Sequence, residues 1–358
     1  MGTPRRTSIE RPCRTPLPPE ADSGAPHGRV VAASDFKSAP CLPGPHLPTI
    51  WATVCRPTPA VDLTFERLEL PDGDFVDLAW TQDNGGPVVL VLHGLEGCHE
   101  STYARAILAR IQAVGYHGVL LQFRGCSGGP NRLDRNYHSG DTGDAAHVAG
   151  VIEKRYGRPL FAAIGYSLGG NVVLKWLGEL AGDARLTTAV AVSVPFDLGA
   201  CATRLNQGFS RFYQWRLIRS MRRKYQEKFA RRPSPLAIED VRRLRTFWSY
   251  DDAVTAPLHG FRDVHDYYAS SSSRSYLKHI EVPTLILHAD NDPFVPAAAV
   301  PSASELSPKL TLEMTNGGGH VGFVAGRWPW RLRYWLDDRI VSHLNEHRAQ
   351  CTAGANVR

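Results

Sequence analysis

A short apolar run that breaks into Gly165-Tyr166-Ser167-Leu168-Gly169 and leaves as a helix-patterned segment constrains this chain more than any other feature. Residues 160–165 have the apolar character of a buried strand, and residues 169–180 carry apolar side chains at helical spacing. Turning from strand to helix within one residue strains the serine backbone and crowds the positions two before and two after it. Side chains there would clash, so glycines at 165 and 169 fit the turn. The serine hydroxyl then lies at a helix N-terminus, where free N–H groups and the helix dipole favour a developing oxyanion. Alone, the pentapeptide is a weak pattern, and the competing reading is a glycine-rich turn with an incidental serine.

The flanking text supplies the context of a sheet. Residues 61–70 and 75–81 read as two strands joined by Pro71-Asp72-Gly73, an antiparallel pair at a sheet edge. Residues 88–93 form a continuous apolar run, as expected of a strand buried on both faces. A helix at 101–114, with Ser101 as N-cap and Gly115 at its end, leads to a strand at 119–123. A helix at 142–156, closed by Gly157, precedes the strand that ends at the pentapeptide, and another strand follows at 188–194. The rhythm then breaks: residues 195–280 are polar, basic and aromatic, with helical spacing and no strand candidates. Strands resume at 284–288 and 310–314, and an amphipathic helix covers about 329–347. The expected class is α/β, a mostly parallel central sheet with helices on both faces and a helical cap inserted before the last two strands. Residues 1–40, rich in Pro, Arg, Ser and Ala, read as a disordered leader. Residues 41–347 then form one domain, and 348–358 a flexible tail.

The seven cysteines are scattered, odd in number and free of any C-x-x-C pair. That argues against a disulfide framework or zinc site and fits a reducing compartment. No apolar segment follows Arg5-Arg6 as an export signal requires, and no apolar run is long enough to span a bilayer, so the expected location is cytoplasmic. No H-E-x-x-H, phosphate-loop or strand-linked G-x-G-x-x-G pattern occurs, so no metal or other cofactor is implied. The net charge of +6 is concentrated in Arg5, Arg6, Arg11 and Arg14 and in the stretch 204–245. In that stretch Phe209, Phe212, Tyr213 and Trp215 interleave with arginines and lysines. A cap with one apolar and one cationic face would dock on anionic membrane or attract acidic substrates. The alternative is a solvated helix face whose aromatics pack onto the core. No nucleic-acid-binding motif accompanies the charge, so nucleic acid is not an expected partner.

A serine hydroxyl is a poor nucleophile near neutral pH, so it needs a base to take its proton and a carboxylate to orient that base. In the order expected of such a fold, the carboxylate and then the histidine follow the serine. The strand at 285–288 ends in Ala289-Asp290-Asn291-Asp292-Pro293. Asp292 is preferred because Pro293 rigidifies the turn presenting it, with Asp290 as local competitor. His320, in Gly317-Gly318-Gly319-His320-Val321-Gly322, combines the right chain order with a loop able to approach the serine. Leu168 N–H and a backbone N–H of the loop after residue 92, assigned to Leu95 or a neighbour, are the expected oxyanion donors. Arg124, His138 and Asp141 lie in loops expected to border the pocket; His138 either touches substrate or makes a structural hydrogen bond.

Several motifs taken together resemble the bacterial YheT-type α/β hydrolases, candidate esterases akin to eukaryotic lipid-handling relatives. They are His93-Gly94-Leu95-Glu96-Gly97, Phe123-Arg124-Gly125-Cys126-Ser127-Gly128, Tyr137-His138-Ser139-Gly140, Gly165 to Asn171, Asp292-Pro293-Phe294 and Gly318-Gly319-His320-Val321-Gly322-Phe323, preceded by Pro45-His46-Leu47-Pro48-Thr49. The resemblance covers about residues 45–335. It implies an α/β-hydrolase fold and hydrolysis of carboxylic esters, of acylglycerols or short acyl esters, with Ser167, Asp292 and His320 as the triad. The same triad could serve a thioesterase, an amidase or a carbon–carbon hydrolase, and the fold could instead be a non-catalytic lipid- or protein-binding scaffold. A serine at the elbow excludes an aspartate-nucleophile dehalogenase. The H-x-x-x-x-D pattern of acyl-transferring relatives occurs at none of the fourteen histidines.

Overall fold

The computed structural model describes residues 27–32 and 34–355. The strands are β1 (Arg29–Val31), β2 (Thr64–Glu69), β3 (Phe75–Trp80), β4 (Val88–Leu92), β5 (His117–Gln122), β6 (Ala162–Tyr166), β7 (Thr188–Val192), β8 (Thr284–Ala289) and β9 (Leu310–Thr315). They form one nine-stranded sheet in the order β1-β9-β8-β7-β6-β4-β5-β3-β2. Only the β2–β3 and β3–β5 pairings are antiparallel. The central strands β4, β6, β7 and β8 are buried at every residue. Their unbroken apolar runs are therefore those of strands covered on both faces rather than alternating strands.

The covering helices are α1 (His46–Val54), α2 (Thr102–Ala113), α3 (Gly143–Tyr156) and α4 (Leu168–Leu180). Ile107, Leu108 and Ile111 of α2 join Leu336, Ile340 and Leu344 of the C-terminal helix on one face of the sheet. Val148 and Ile152 of α3 join Val172, Leu174 and Leu177 of α4 on the other. Each such side chain contributes roughly 1.5–3 kcal/mol on burial. Gly157 ends α3 at φ +65°, the left-handed C-terminal position that only glycine adopts at little cost.

Between β7 and β8 the chain builds the helical cap, with α5 (Leu198–Arg204) and α6 (Ser210–Lys228) at its start and the helix Val264–Ser271 near its end. The cap has its own apolar cluster, centred on Tyr213, Ile218, Tyr225, Val241 and Tyr250. Buried Asn171 of α4 ties its return path to the main domain: its amide donates to Ser139 O and Ser271 O and its carbonyl accepts from Ser273 N–H. Part of the basic stretch is internal. Lys228 Nζ donates to the carbonyls of Leu133, Asp134 and Arg135. Arg222 Nη1 donates to those of Arg242 and Leu244. These side chains replace water with backbone carbonyls and staple the cap.

Two boundaries differ from expectation. Within the expected leader 1–40, residues 29–31 are instead a strand, β1, which pairs in parallel with β9, Arg29 opposite Thr311. Phe36 packs beside it on Phe323 and Trp335. A three-residue edge strand with mostly exposed side chains has no alternation to betray it. Residues 1–26, including Arg5, Arg6, Arg11 and Arg14, lie outside the described residues. The last helix also runs later, Trp335–Ala355, so the expected tail from 348 is helical to Ala355. The residues before it are taken by a small hairpin, Val324–Ala325 against Arg333–Tyr334.

Candidate active site

Ser167 joins β6 to α4 with φ 52° and ψ −116°, a left-handed conformation that costs a non-glycine residue roughly 1–3 kcal/mol. The neighbouring glycines permit it. A Cβ on Gly165 would come 2.3 Å from Gly169 O, and one on Gly169 would come 2.4 Å from Leu92 O. Ser167 N–H donates to Val192 O at 2.8 Å, which fastens the turn to β7.

The loop after β9 brings His320 to this serine. His320 Nε2 lies 2.9 Å from Ser167 Oγ, and Nδ1 lies 2.8 Å from Asp292 Oδ2. Burial alone would raise the Asp292 carboxyl, but the adjacent imidazole and the Phe294 N–H hydrogen bond hold it below the ordinary carboxylate range. An ionised carboxylate can only accept, so Nδ1 carries the proton and Nε2 is left to accept from the serine hydroxyl. Asp290, the competitor, is engaged elsewhere: its Oδ1 accepts from Gly317 N–H. Asn291 accepts from Gly319 N–H, Thr49 from His320 N–H and Ser193 from Val321 N–H. The Phe294 ring stacks on the imidazole at 4.0 Å.

On the other side of Ser167 passes the loop after β4, close enough that a Cβ on Gly94 would lie 3.3 Å from the serine Cβ. Gly94 N–H donates to the Tyr103 hydroxyl at 2.8 Å and Glu96 N–H to the Tyr137 hydroxyl at 2.9 Å. Leu95 N–H stands between these two fixed peptides, and Leu168 N–H is the first of α4. Neither has a hydrogen-bond partner among the described residues. Buried His93 completes the brace. Phe123 N–H donates to its Nε2, so Nδ1 carries the proton and donates to Gly94 O. Burial lowers its pKa to about 4, keeping it neutral. Tyr103→Phe would orphan the Gly94 N–H and should destabilise the fold by roughly 1–3 kcal/mol. Urea unfolding measures this, and an unchanged midpoint would show that the hydroxyl does not hold the loop.

Ser167 and His320 open on a cavity of about 90 Å³ lined by apolar side chains, among them Leu95, Leu198, Leu205, Leu217, Phe247 and Phe294. Its wall also carries Asp251, in a single π-helical turn, where Thr255 and Tyr268 hydroxyls donate to the carboxylate. Burial raises the Asp251 pKa to about 6. Between its ordinary value of 3.8 and about 6, the folded protein keeps a proton that the unfolded chain has shed. This group's contribution to stability therefore falls as pH rises through that window. Asp251→Asn should remove the fall, so that the variant gains roughly 1–3 kcal/mol on wild type between about pH 4 and pH 8. Unfolding curves at both pH values test this; parallel changes in the two proteins would refute it.

Across Leu95 lies a larger cavity of about 360 Å³, lined by charged and apolar side chains and bordered by Cys126, Tyr137 and Lys224, that reaches neither Ser167 nor His320. The three loop residues expected at the pocket do not line the serine cavity. Arg124 is buried in ion pairs with Asp72, Asp74 and Asp144. His138 packs against His259, Phe261 and Tyr267 and accepts from Gly140 N–H, which is the structural alternative. Asp141 faces Arg135 at 3.5 Å. Their neighbour Ser139 reaches the cavity instead. Sequence reasoning assigned no role to Thr49, Tyr103, Tyr137, Ser193 or Asp251. Thr49 and Tyr137 lie inside recognisable motifs; the other three carry no local signal.

Residues 87–326 match the alpha/beta hydrolase fold family. The candidate esterase YheT of Escherichia coli is 40% identical over 311 residues, covering 84% of this chain and 90% of that protein. Phospholipase ABHD3 of Mus musculus is 27% identical over 329 residues, 85% of this chain and 79% of its own. A monoacylglycerol lipase of Saccharomyces cerevisiae is 29% identical over 253 residues, 68% of this chain and 56% of its own. Fold and relatives together make the protein a hydrolase, and the chain belongs to the α/β-hydrolase fold family, among its YheT-type members.

Proposed function

We propose that the protein is a serine hydrolase that cleaves carboxylic esters through an acyl-enzyme on Ser167. One observation carries the reading: a single imidazole spans an ionised buried carboxylate and a strained serine, 2.8 Å and 2.9 Å away, at the mouth of an apolar cavity. His320 Nε2 takes the Ser167 proton as Oγ attacks the ester carbonyl, and Asp292 stabilises the imidazolium so formed. Leu95 and Leu168 N–H groups receive the oxyanion. His320 then returns the proton to the leaving alcohol, and a water, deprotonated by the same nitrogen, releases the acid and regenerates Ser167. No cofactor enters this sequence of steps.

The cavity of about 90 Å³ is smaller than the ~150 Å³ that accommodates benzene. We assign the acyl side accordingly to short chains, of simple esters or of acylglycerol-like lipids. A serine-directed fluorophosphonate should label wild-type protein and not Ser167→Ala, and a p-nitrophenyl ester series should peak at short acyl length. Absence of labelling in the wild type would leave the non-catalytic scaffold; a peak at long chains would overturn the acyl assignment. Peripheral contact with anionic membrane through the basic cap is a separate proposal, which the activity does not require.

A further inference from the structure

Nine large apolar side chains are exposed among the described residues, and seven of them lie on α1 and on the two elements it adjoins. Leu47 and Val54 are on α1, Phe209, Phe212 and Trp215 are on or at the start of α6, and Trp328 and Trp330 are in the hairpin loop 326–332. The elements are joined. The α1 ring His46 lies 4.6 Å from Phe209, and its Nδ1 is 3.2 Å from the Tyr213 hydroxyl. Toward the other end of α1, Trp51 packs against the same buried cluster, Ala39, Leu42, Ala52 and Val324, as Leu332 and Tyr334 of the hairpin. Such a concentration of unburied aromatics is unusual for a surface that faces only water.

In the segments that carry these rings, 209–219 and 326–333, the charge is of one sign. Arg211, Arg216 and Arg219 of α6 and Arg327, Arg331 and Arg333 of the hairpin are exposed. Among the described residues none of the six takes part in an ion pair. Arg219 lies over the Trp215 ring and Arg327 over Trp328. On α6, Phe212 and Trp215 are one turn apart and Arg216 and Arg219 continue the same stripe. Apolar rings flanked by unpaired cations are the chemistry of a helix lying in the headgroup region of a negatively charged bilayer. Trp at that depth keeps its ring in the acyl boundary and its N–H in water.

This surface communicates with the serine. From the imidazole of His320 a run of ring contacts leads outward through Phe294 (4.0 Å) and Tyr213 (4.9 Å) to Phe209 (5.7 Å) and Phe212 (6.1 Å), with Trp215 stacked on Phe212 at 5.9 Å. We infer that α6, α1 and the 326–332 loop form one docking surface for an anionic lipid bilayer, from which the Phe294–Tyr213 wall leads to the catalytic pocket. Its use in delivering a lipid ester to Ser167 rests on the hydrolase reading; the docking itself does not.

Co-sedimentation of the full chain with vesicles of phosphatidylcholine alone, or mixed with phosphatidylglycerol, tests the docking. Wild type should pellet with the mixed vesicles, and added salt should release it. Phe212→Ser/Trp215→Ser and Trp328→Ser/Trp330→Ser should each weaken that binding by roughly tenfold or more. Both should hydrolyse a water-soluble p-nitrophenyl ester at the wild-type rate, since none of these residues lines the cavity. Ser167→Ala should pellet like wild type, so a failed hydrolase reading and a failed docking reading give different results. Equal pelleting with both vesicle types, or variants that bind as wild type does, would overturn the inference. So would a wild-type dimer by light scattering that the aromatic variants dissociate, because a second copy would then occupy the surface.

Discussion

Replacing Ser167 with alanine should lower kcat for a p-nitrophenyl ester by about 10⁶, with KM changed little. The size of the loss follows from the arrangement around the hydroxyl. His320 Nε2, 2.9 Å away, has no other proton to move in the first step, so without the hydroxyl its basicity serves nothing. What remains is the positioning of water and ester by the cavity and the free Leu95 and Leu168 N–H groups, which in comparable sites retains roughly 10³–10⁴ over the uncatalysed rate. Alanine tolerates φ 52° no better and no worse than serine, so the fold should be unaffected, and circular dichroism provides the control. Activity within tenfold of wild type would remove Ser167 from the mechanism.

Asp292→Asn should cost about 10⁴ in kcat, whereas Asp290→Asn should stay within about tenfold of wild type. The asymmetry is geometric. Asp292, buried beside the ring, is the acceptor that puts the His320 proton on Nδ1 and, in the proposed mechanism, stabilises the imidazolium. An amide there can present an N–H to Nδ1, forcing the proton to Nε2, where it faces the serine and blocks deprotonation. Asp290 only accepts from the Gly317 N–H, a role the asparagine carbonyl can keep. Steady-state kinetics of the pair decide between two carboxylates that are two residues apart in the chain. Equal losses would mean that the loop as a whole, rather than one carboxylate, sets the imidazole.

Much of this protein is legible in its residue order. Buried parallel strands announce themselves as unbroken apolar runs, because both faces of each are covered. The expected strands at 88–93, 160–165, 188–194 and 284–288 correspond closely to β4, β6, β7 and β8. The elbow is legible because a strand-to-helix turn in one residue leaves no room for a Cβ at 165 or 169, a purely local clash. The order serine, aspartate, histidine is legible because the sheet delivers its loops to one edge in chain order. The edge strand β1 is not legible, since three mostly exposed residues bury too little to impose a pattern.

What the chain determined by itself, then, is the layered α/β architecture, the strained Ser167 and, as candidate partners, His320 with Asp292 preferred to its neighbour Asp290, because the elbow follows from local sterics, the sheet from burial and the partners from chain order. The tertiary structure alone decided the rest. Asp292 rather than Asp290 faces the ring because Gly317 N–H, distant in sequence, claims Asp290. Arg124 and His138 are structural because Asp72, Asp74 and Asp144, or a cluster of cap aromatics, surround them. The basic cap divides into internal staples such as Lys228 and exposed arginines beside Phe212 and Trp215, according to which side chains meet the 133–135 carbonyls. These are long-range meetings, and periodicity along a chain carries no information about which surfaces will face each other once the cap has folded over the sheet.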